Sequence, residues 1–202
     1  MVLNLSLIIR LFGNLGLKYN LITNMDKFKS IGDDVFISED SLIKRPHLCQ
    51  IGSHNAIDNG VTISTELIMG DYIHIAPFVV VIGGEKSKLI LEDFSFVASG
   101  TKIVCGSEDY TGVGLVGPTI PEEYRVIKHT TVKFEKFAGC GVNCSIMPGV
   151  TLAEGSILGA NSLLTKDTEP WTIYVGSPAR PVKTREKETI LNYAKKIKND
   201  KM

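Results

Sequence analysis

His74 is the residue of this sequence best suited to acid–base chemistry. It stands between Ile73 and Ile75, and neighbouring residues of an extended strand point to opposite sides. If the two isoleucines face a core, the imidazole therefore faces outward. A histidine with an ordinary pKa of about 6.5 can accept a proton near neutral pH. We predict that His74 acts as a general base.

Two acidic residues, Glu108 and Asp109, lie in the polar stretch from Ser107 to Gly112. A carboxylate at this place could orient His74, bind hydroxyl groups of a substrate, or act as the base itself if its pKa were raised. The sequence leaves these alternatives open. Glu108 and Asp109 therefore join His74 as candidate catalytic residues, and no metal site is predicted.

A six-residue period identifies the elements that must position these side chains. In its clearest run, one apolar side chain recurs at every sixth position: Phe134, Cys140, Ile146, Leu152, Leu158 and Leu164. The same frame holds over residues 51–81 and 91–103 and more loosely over 31–43, which makes eighteen hexads. Such a unit is a short strand with a corner, and three units close a triangular coil. The period predicts an all-β chain that forms a parallel β-helix of about six coils.

The frame is interrupted at residues 45–50, 83–88 and 104–133, and long loops on a rigid scaffold often carry functional sites. We expect the Gly83–Gly84 break to lie beside His74. The predicted organisation is a short N-terminal helix within residues 1–30, a β-helix over 31–165 with a loop at 105–131, and a C-terminal extension over 166–202. That extension includes a helix from Thr184 to Lys201.

Composition excludes several classes of protein. The 202 residues contain 22 Lys plus Arg and 22 Asp plus Glu, so no net charge favours a nucleic acid partner. No apolar run is long enough to cross a bilayer. Four cysteines occur without a C-x-x-C pair, which indicates reduced thiols and a cytoplasmic location.

Several motifs resemble the hexapeptide-repeat acyltransferases, and in particular their galactoside and polysaccharide O-acetyltransferase branch. The motifs lie at Pro148–Leu152, Leu158–Asp167 and Val175–Lys183, with further matches at residues 73–77, 82–84 and 108–112. The resemblance implies a left-handed coil, a homotrimer, and acetyl-CoA as cosubstrate bound between neighbouring chains.

The resemblance also assigns residues to coenzyme A. Gly141 and Ala160 match positions whose backbone contacts the pantetheine arm, where a larger side chain would keep the ligand away. The residues that match the nucleotide end are Thr165, Lys166, Arg180 and Lys183. Cations at this end suit a pyrophosphate and a 3′-phosphate.

Three functions remain open from the sequence. The main expectation is acetyl transfer to a sugar hydroxyl in surface polysaccharide biosynthesis. The first alternative is N-acetylation of a nucleotide-linked amino sugar. The second alternative is a hexapeptide-repeat scaffold without catalysis.

Overall fold

The computed structural model describes residues 27–199, and these form a parallel β-helix with three faces. Each coil contributes one short strand to each face. Six coils are complete, and one strand of a seventh follows them, so the prediction of about six coils is confirmed. The N-terminal helix predicted within residues 1–30 falls largely on residues 1–26, which lie outside the described residues.

The strands follow one another around the prism in a fixed order. Face 1 consists of β1 (Ser30–Ile31), β4 (Gln50–Ile51), β7 (Glu66–Met69), β10 (Lys88–Leu91), β15 (Thr131–Phe134) and β18 (Thr151–Leu152). Face 2 consists of β2 (Phe36–Ile37), β5 (Ala56–Ile57), β8 (His74–Ile75), β11 (Phe96–Val97), β16 (Gly139–Cys140), β19 (Ile157–Leu158), β21 (Thr172–Val175) and β22 (Arg180–Thr184). Face 3 consists of β3 (Leu42–Ile43), β6 (Thr62–Ile63), β9 (Val80–Ile82), β12 (Lys102–Val104), β17 (Ser145–Ile146) and β20 (Leu163–Leu164).

The core is a column of the side chains that set the six-residue period. On face 2, for example, Ile57 pairs with Ile75 and Ile75 with Val97 in the parallel ladder, and all three are buried. Every coil therefore places its inward side chain directly above that of the previous coil. Removing these apolar groups from water is the main stabilising contribution, and the outward neighbours form equally regular rows.

The corner between face 1 and face 2 carries a stack of rings that the sequence analysis did not predict. The ring stack consists of His54, Tyr72, Phe94, Phe137 and Trp171, with successive ring centroids 4.8 to 5.9 Å apart. All five residues have a left-handed backbone, with φ between 53° and 63°. This conformation is unfavourable for large side chains, and contacts between stacked rings offset part of that cost.

The excursion between β12 and β15 leaves the prism at the corner between face 3 and face 1. It begins with β13 (Gly106–Glu108) and returns through β14 (Ile127–His129), which pair in antiparallel fashion. A single 3₁₀ turn, Glu122–Tyr124, lies between these strands. The loop therefore has an ordered base of two strands next to the coils.

The C-terminal part differs from the prediction in one element. The strands β21 and β22 form an antiparallel hairpin on face 2, and the helix α1 begins only at Glu188 and ends at Asn199. Thr184, which was expected to begin the helix, is the last residue of β22. The helix is held against the ring stack by Lys198, which pairs with Asp93 at 2.8 Å and lies over the Phe94 ring.

Replacement of Phe134 by alanine should destabilise the β-helix strongly. Its ring is fully buried in the column, and a Phe→Ala change in a core costs about 3–5 kcal/mol. Urea unfolding followed by circular dichroism measures the effect. Tyr193→Ala is the control, because Tyr193 is 60% exposed on α1 and should cost less than about 1 kcal/mol. Equal losses of unfolding free energy in the two variants would contradict the conclusion that the buried apolar column stabilises the β-helix.

Candidate active site

His74 lies on face 2 and points outward, as predicted. Its side chain is 54% exposed, and its Nε2 lies 2.7 Å from Oδ2 of Asp58. Asp58 follows the inward-facing Ile57 on the neighbouring coil, so the ladder brings the two side chains together. A carboxylate partner fixes the orientation and the tautomer of an imidazole. With the proton held on Nε2, Nδ1 becomes the nitrogen that can accept one.

Asp58 was missed by the sequence analysis, although a signal was present. Ile57 and Ile75 are 18 residues apart, which is one coil. The residue after one inward side chain and the residue before the other therefore lie on the same face of adjacent coils. Applying the period to the polar residues as well as to the aliphatic ones would have found the pair.

A row of outward-facing residues connects His74 to the C-terminal end of face 2. In register along the sheet, His74 is followed by Phe96, Gly139, Ile157, Ile173 and Lys183. Five interstrand steps of about 4.8 Å give a separation of about 24 Å between the ends. The Phe96 ring covers Gly139, since a Cβ at residue 139 would collide with it. The row is thus apolar between a histidine and a cation.

The four residues assigned to the nucleotide end lie on the last coil and the hairpin. Thr165, Lys166, Arg180 and Lys183 are all exposed. The hairpin turn is tied to β20, because the Leu163 N–H donates to the Gly176 carbonyl oxygen at 3.0 Å and the Ala179 N–H donates to the Leu163 oxygen at 2.8 Å. Within residues 27–199, none of the three cations has a carboxylate partner. Their charges therefore remain available for an anionic group.

Gly141 and Ala160 lie at the corner between face 2 and face 3. The packing of adjacent coils at this corner, rather than contact with a ligand, explains why residue 141 is a glycine. A Cβ at residue 141 would lie 2.7 Å from the backbone nitrogen of Ala160 and 3.0 Å from its Cα. Adjacent coils could not stack at this spacing with a larger residue. Glycine at position 141 is therefore required by coil packing, whatever ligand approaches the exposed Ala160.

Asp109 and Glu108 both form ion pairs with basic residues of the same excursion loop. Asp109 Oδ2 lies 2.8 Å from Nζ of Lys128, and Oδ1 accepts hydrogen bonds from the N–H and the hydroxyl of Thr111. Glu108 pairs with Nε of Arg125 at 2.6 Å and accepts the Gly117 N–H at 2.8 Å. The hydrogen bond from Lys128, followed by those from Thr111, holds the pKa of Asp109 well below its usual range. The raised pKa required for Asp109 to act as the base is therefore absent.

The loop and His74 lie on different sides of one chain. The loop leaves at the corner between face 3 and face 1, whereas His74 is on face 2. The Gly83–Gly84 break also lies at the loop corner, because Gly83 packs against Gly106 and Ser87. The expectation that this break borders His74 is wrong: β9 separates them. Among residues 27–199 of one chain, Asp58 is the carboxylate that lies within hydrogen-bond distance of His74.

Thiol chemistry is not supported by the structure. All four cysteines are free and buried, and burial raises the pKa of Cys49 to about 11 and that of Cys105 to about 12. A hydrogen bond from Cys140 lowers the pKa of Cys144 to about 7, but Cys144 is fully enclosed in the core. These thiols are core residues rather than nucleophiles.

Two negative observations concern residues 27–199. No group of three or more His, Cys, Asp and Glu side chains in this range could hold a metal ion. In the same range, no helix combines the length and the apolar character needed to cross a membrane.

Sequence comparison with known proteins identifies relatives of this chain among acyltransferases. No protein-family model matches the sequence. A dTDP-4-amino-4,6-dideoxy-D-glucose acyltransferase from Escherichia coli is 33% identical over 166 residues, which cover 81% of this chain and 85% of the relative. A probable macrolide acetyltransferase from Lysinibacillus sphaericus is 32% identical over 124 residues, or 54% of this chain and 67% of that protein.

The solved structures agree with the sequence comparison. AntD, an N-acyltransferase from Bacillus cereus solved with dTDP and 3-hydroxybutyryl-CoA, superimposes with a TM-score of 0.84 and 30% identity over 92% of this chain and 100% of AntD. A hexapeptide-repeat acetyltransferase from Vibrio cholerae shares the fold, with a TM-score of 0.56 and 18% identity over 90% of each chain. The family expected from the sequence motifs is confirmed, and the chain belongs to the hexapeptide-repeat acyltransferases.

Proposed function

We propose that the protein transfers an acyl group from a coenzyme A thioester to the amine of a dTDP-linked 4-amino-4,6-dideoxy sugar. The observation that carries this proposal is the similarity, over more than four-fifths of the chain, to an enzyme named for that acceptor. AntD supports it, because its complexes contain dTDP-4-amino-4,6-dideoxyglucose or dTDP together with a CoA species. The relatives thus favour the amino sugar over the polysaccharide hydroxyl that was the main expectation.

The C-terminal end of face 2 suits coenzyme A. Lys166, Arg180 and Lys183 offer unpaired cations for the phosphate groups, and the row of Phe96, Ile157 and Ile173 offers an apolar track toward His74. An elongated ligand with a charged nucleotide at one end and a thioester at the other matches this layout. Ala160 is exposed beside this track, at the corner between face 2 and face 3, whereas Thr165 is exposed after β20 on face 3.

His74 is proposed as the general base. The amine attacks the thioester carbonyl, a C–N bond forms, and the C–S bond to coenzyme A breaks. Nδ1 of His74 accepts the proton that leaves the nitrogen and passes it to the departing thiolate. Asp58 keeps the imidazole in the required tautomer and stabilises the imidazolium during the transfer.

We further propose a homotrimer in which the loop of one chain completes the site of its neighbour. Val113, Leu115 and Tyr124 in the loop are 58–64% exposed, more apolar surface than an isolated loop favours. The loop leaves the prism at the corner away from face 2, so it does not cover face 2 of its own chain. In the proposed trimer it covers face 2 of a neighbouring chain. Asp109 would then reach a site that contains His74.

Asp109 is proposed to bind the acceptor amine. The solved AntD variants replace an aspartate and a serine ten positions before it. This chain has two serine–aspartate pairs with that spacing, Ser99–Asp109 and Ser30–Asp40. Only the first pair includes a residue of the excursion loop. Glu108, held by Arg125, is proposed to shape the loop instead of contacting substrate.

We propose a cytoplasmic location for the protein. The four free, buried thiols suit a reducing compartment.

An assay of CoA release tests the function and the base together. The dTDP-amino sugar should support release, whereas the dTDP sugar with a hydroxyl at the same carbon should not. His74→Asn should lower turnover about 10²- to 10⁴-fold. Asp58→Asn should cost less because the imidazole remains, and the double variant should be no worse than His74→Asn alone.

The control is His47→Asn, because His47 is exposed in a 3₁₀ turn remote from face 2, and its activity should be unchanged. If His74→Asn keeps most of its turnover, the base is another group. If the hydroxyl sugar is acylated and the amino sugar is not, the proposed acceptor is wrong.

Replacing Lys166 and Arg180 together by alanine should weaken coenzyme A binding at least tenfold. Charge-assisted hydrogen bonds contribute about 1.5–3 kcal/mol each, and about 1.4 kcal/mol corresponds to a factor of ten. Calorimetric titration measures the affinity, and the melting temperature should hardly change because both side chains are exposed. Lys44→Ala at the opposite end of the prism is the control. Unchanged affinity in the double variant would show that the phosphate groups of coenzyme A bind to other residues.

A further inference from the structure

The ion pair between Asp109 and Lys128 lies at the base of the excursion loop. Asp109 directly follows β13 and Lys128 is in β14, so the antiparallel pairing of these strands holds the two residues beside each other. Oδ2 and Nζ are 2.8 Å apart, and the other carboxylate oxygen is bonded to Thr111. The pair is therefore held by backbone geometry as well as by charge.

Lys128 is the charged side chain that pairs with Asp109 among the described residues. The neighbouring acid, Glu108, is already paired with Arg125. Alternation along the strands places Glu108 and Ile127 on one side of the hairpin and Lys128 on the other. His129 turns to the Glu108 side as well, where its Nδ1 lies 3.2 Å from Oγ of Ser87. The charges on that side are thus separate from the Asp109–Lys128 pair.

The two partners differ in their exposure to solvent. The Asp109 side chain is 8% exposed, whereas that of Lys128 is 65% exposed. A ligand that bonds to the carboxylate must therefore approach along the Lys128 side. Its donor group would come to lie next to the lysine ammonium.

The Asp109–Lys128 pair suits the binding of a neutral amine, which is the form that acylation requires. An amine attacks a thioester only through the lone pair of its neutral form, and an isolated carboxylate would stabilise the unreactive ammonium instead. A carboxylate already neutralised by a lysine still accepts an N–H hydrogen bond. The adjacent positive charge, however, disfavours a second cation at the same place.

We propose that Lys128 is a positioning residue that keeps the acceptor amine unprotonated while Asp109 holds it. This inference rests on the proposed function. It assigns to Lys128 the control of the amine's protonation before attack, which is not the task of His74. His74 removes the proton that leaves during attack, whereas Lys128 makes the amine neutral beforehand. The pair thereby selects the reactive form of the acceptor.

The first test is the pH dependence of kcat, which reports ionisations in the enzyme–substrate complex. Lys128→Met should move the acid limb of this profile to higher pH by about one unit, or about tenfold in turnover below the limb. Turnover above the limb should be retained. Lys128→Arg should restore the wild-type profile, and Lys86→Met, an exposed lysine in the 83–88 insertion, is the matched control.

The second test does not depend on turnover. Calorimetric titration of the dTDP-amino sugar into the protein–CoA complex, in buffers of different ionisation enthalpy, counts the protons released on binding. The wild-type protein should release a proton below the pKa of the free amine, and Lys128→Met should release clearly less. The hydroxyl analogue should release none with either protein.

The outcomes separate this inference from the proposed function. If the amino sugar is acylated but Lys128→Met leaves both the kcat profile and the proton release unchanged, the inference is wrong and the function stands. A raised KM for the nucleotide sugar without a shifted profile would likewise overturn it, because Lys128 would then bind phosphate. If the wild-type protein acylates only the hydroxyl sugar, the proposed function fails and the role of Lys128 fails with it.

Discussion

Each inward apolar side chain stacks on the next at the spacing of parallel strands, and this stacking determines how the rest of the chain is arranged. It fixes the length of each hexad, since a strand of two residues and a corner must return the chain to the column. It also fixes the outward residues in rows that run along the faces. The pairing of Asp58 with His74, and the apolar track from Phe96 to Ile173, follow from the same register.

The sequence predicted those parts of the structure that the period controls. The coils and the outward orientation of His74 follow from the inward positions at Ile37, Ile57 and Ile75, which form one ladder. The hairpin β21–β22 was missed because its strands run outside the hexad frame. The ring stack was missed because propensity argues against aromatic residues at left-handed corners, and only contact between successive coils makes them favourable there.

The site residues were predictable to a lesser degree because much of the site depends on contacts distant in sequence. The assignment of the exposed cations Lys166 and Arg180 to coenzyme A comes from their motif and stays a prediction, while the partners of Asp109 and Glu108 depend on how β13 pairs with β14. A sequence shows that a loop is acidic but not that each acid already has a basic partner. Gly141 illustrates the converse, since its motif suggested a ligand contact and coil packing explains it.

We propose above that His74 of one chain and Asp109 of another act in the same site. Mixing His74→Asn and Asp109→Asn proteins, unfolding them and refolding them together tests it most directly. In mixed copies of the proposed trimer, a site built from two chains would combine the intact Asp109 of the first variant with the intact His74 of the second. We predict that the mixture regains turnover well above that of either parent refolded alone. Activity no higher than that of the parents would show that both residues act within one chain, or that one of them does not act in the site.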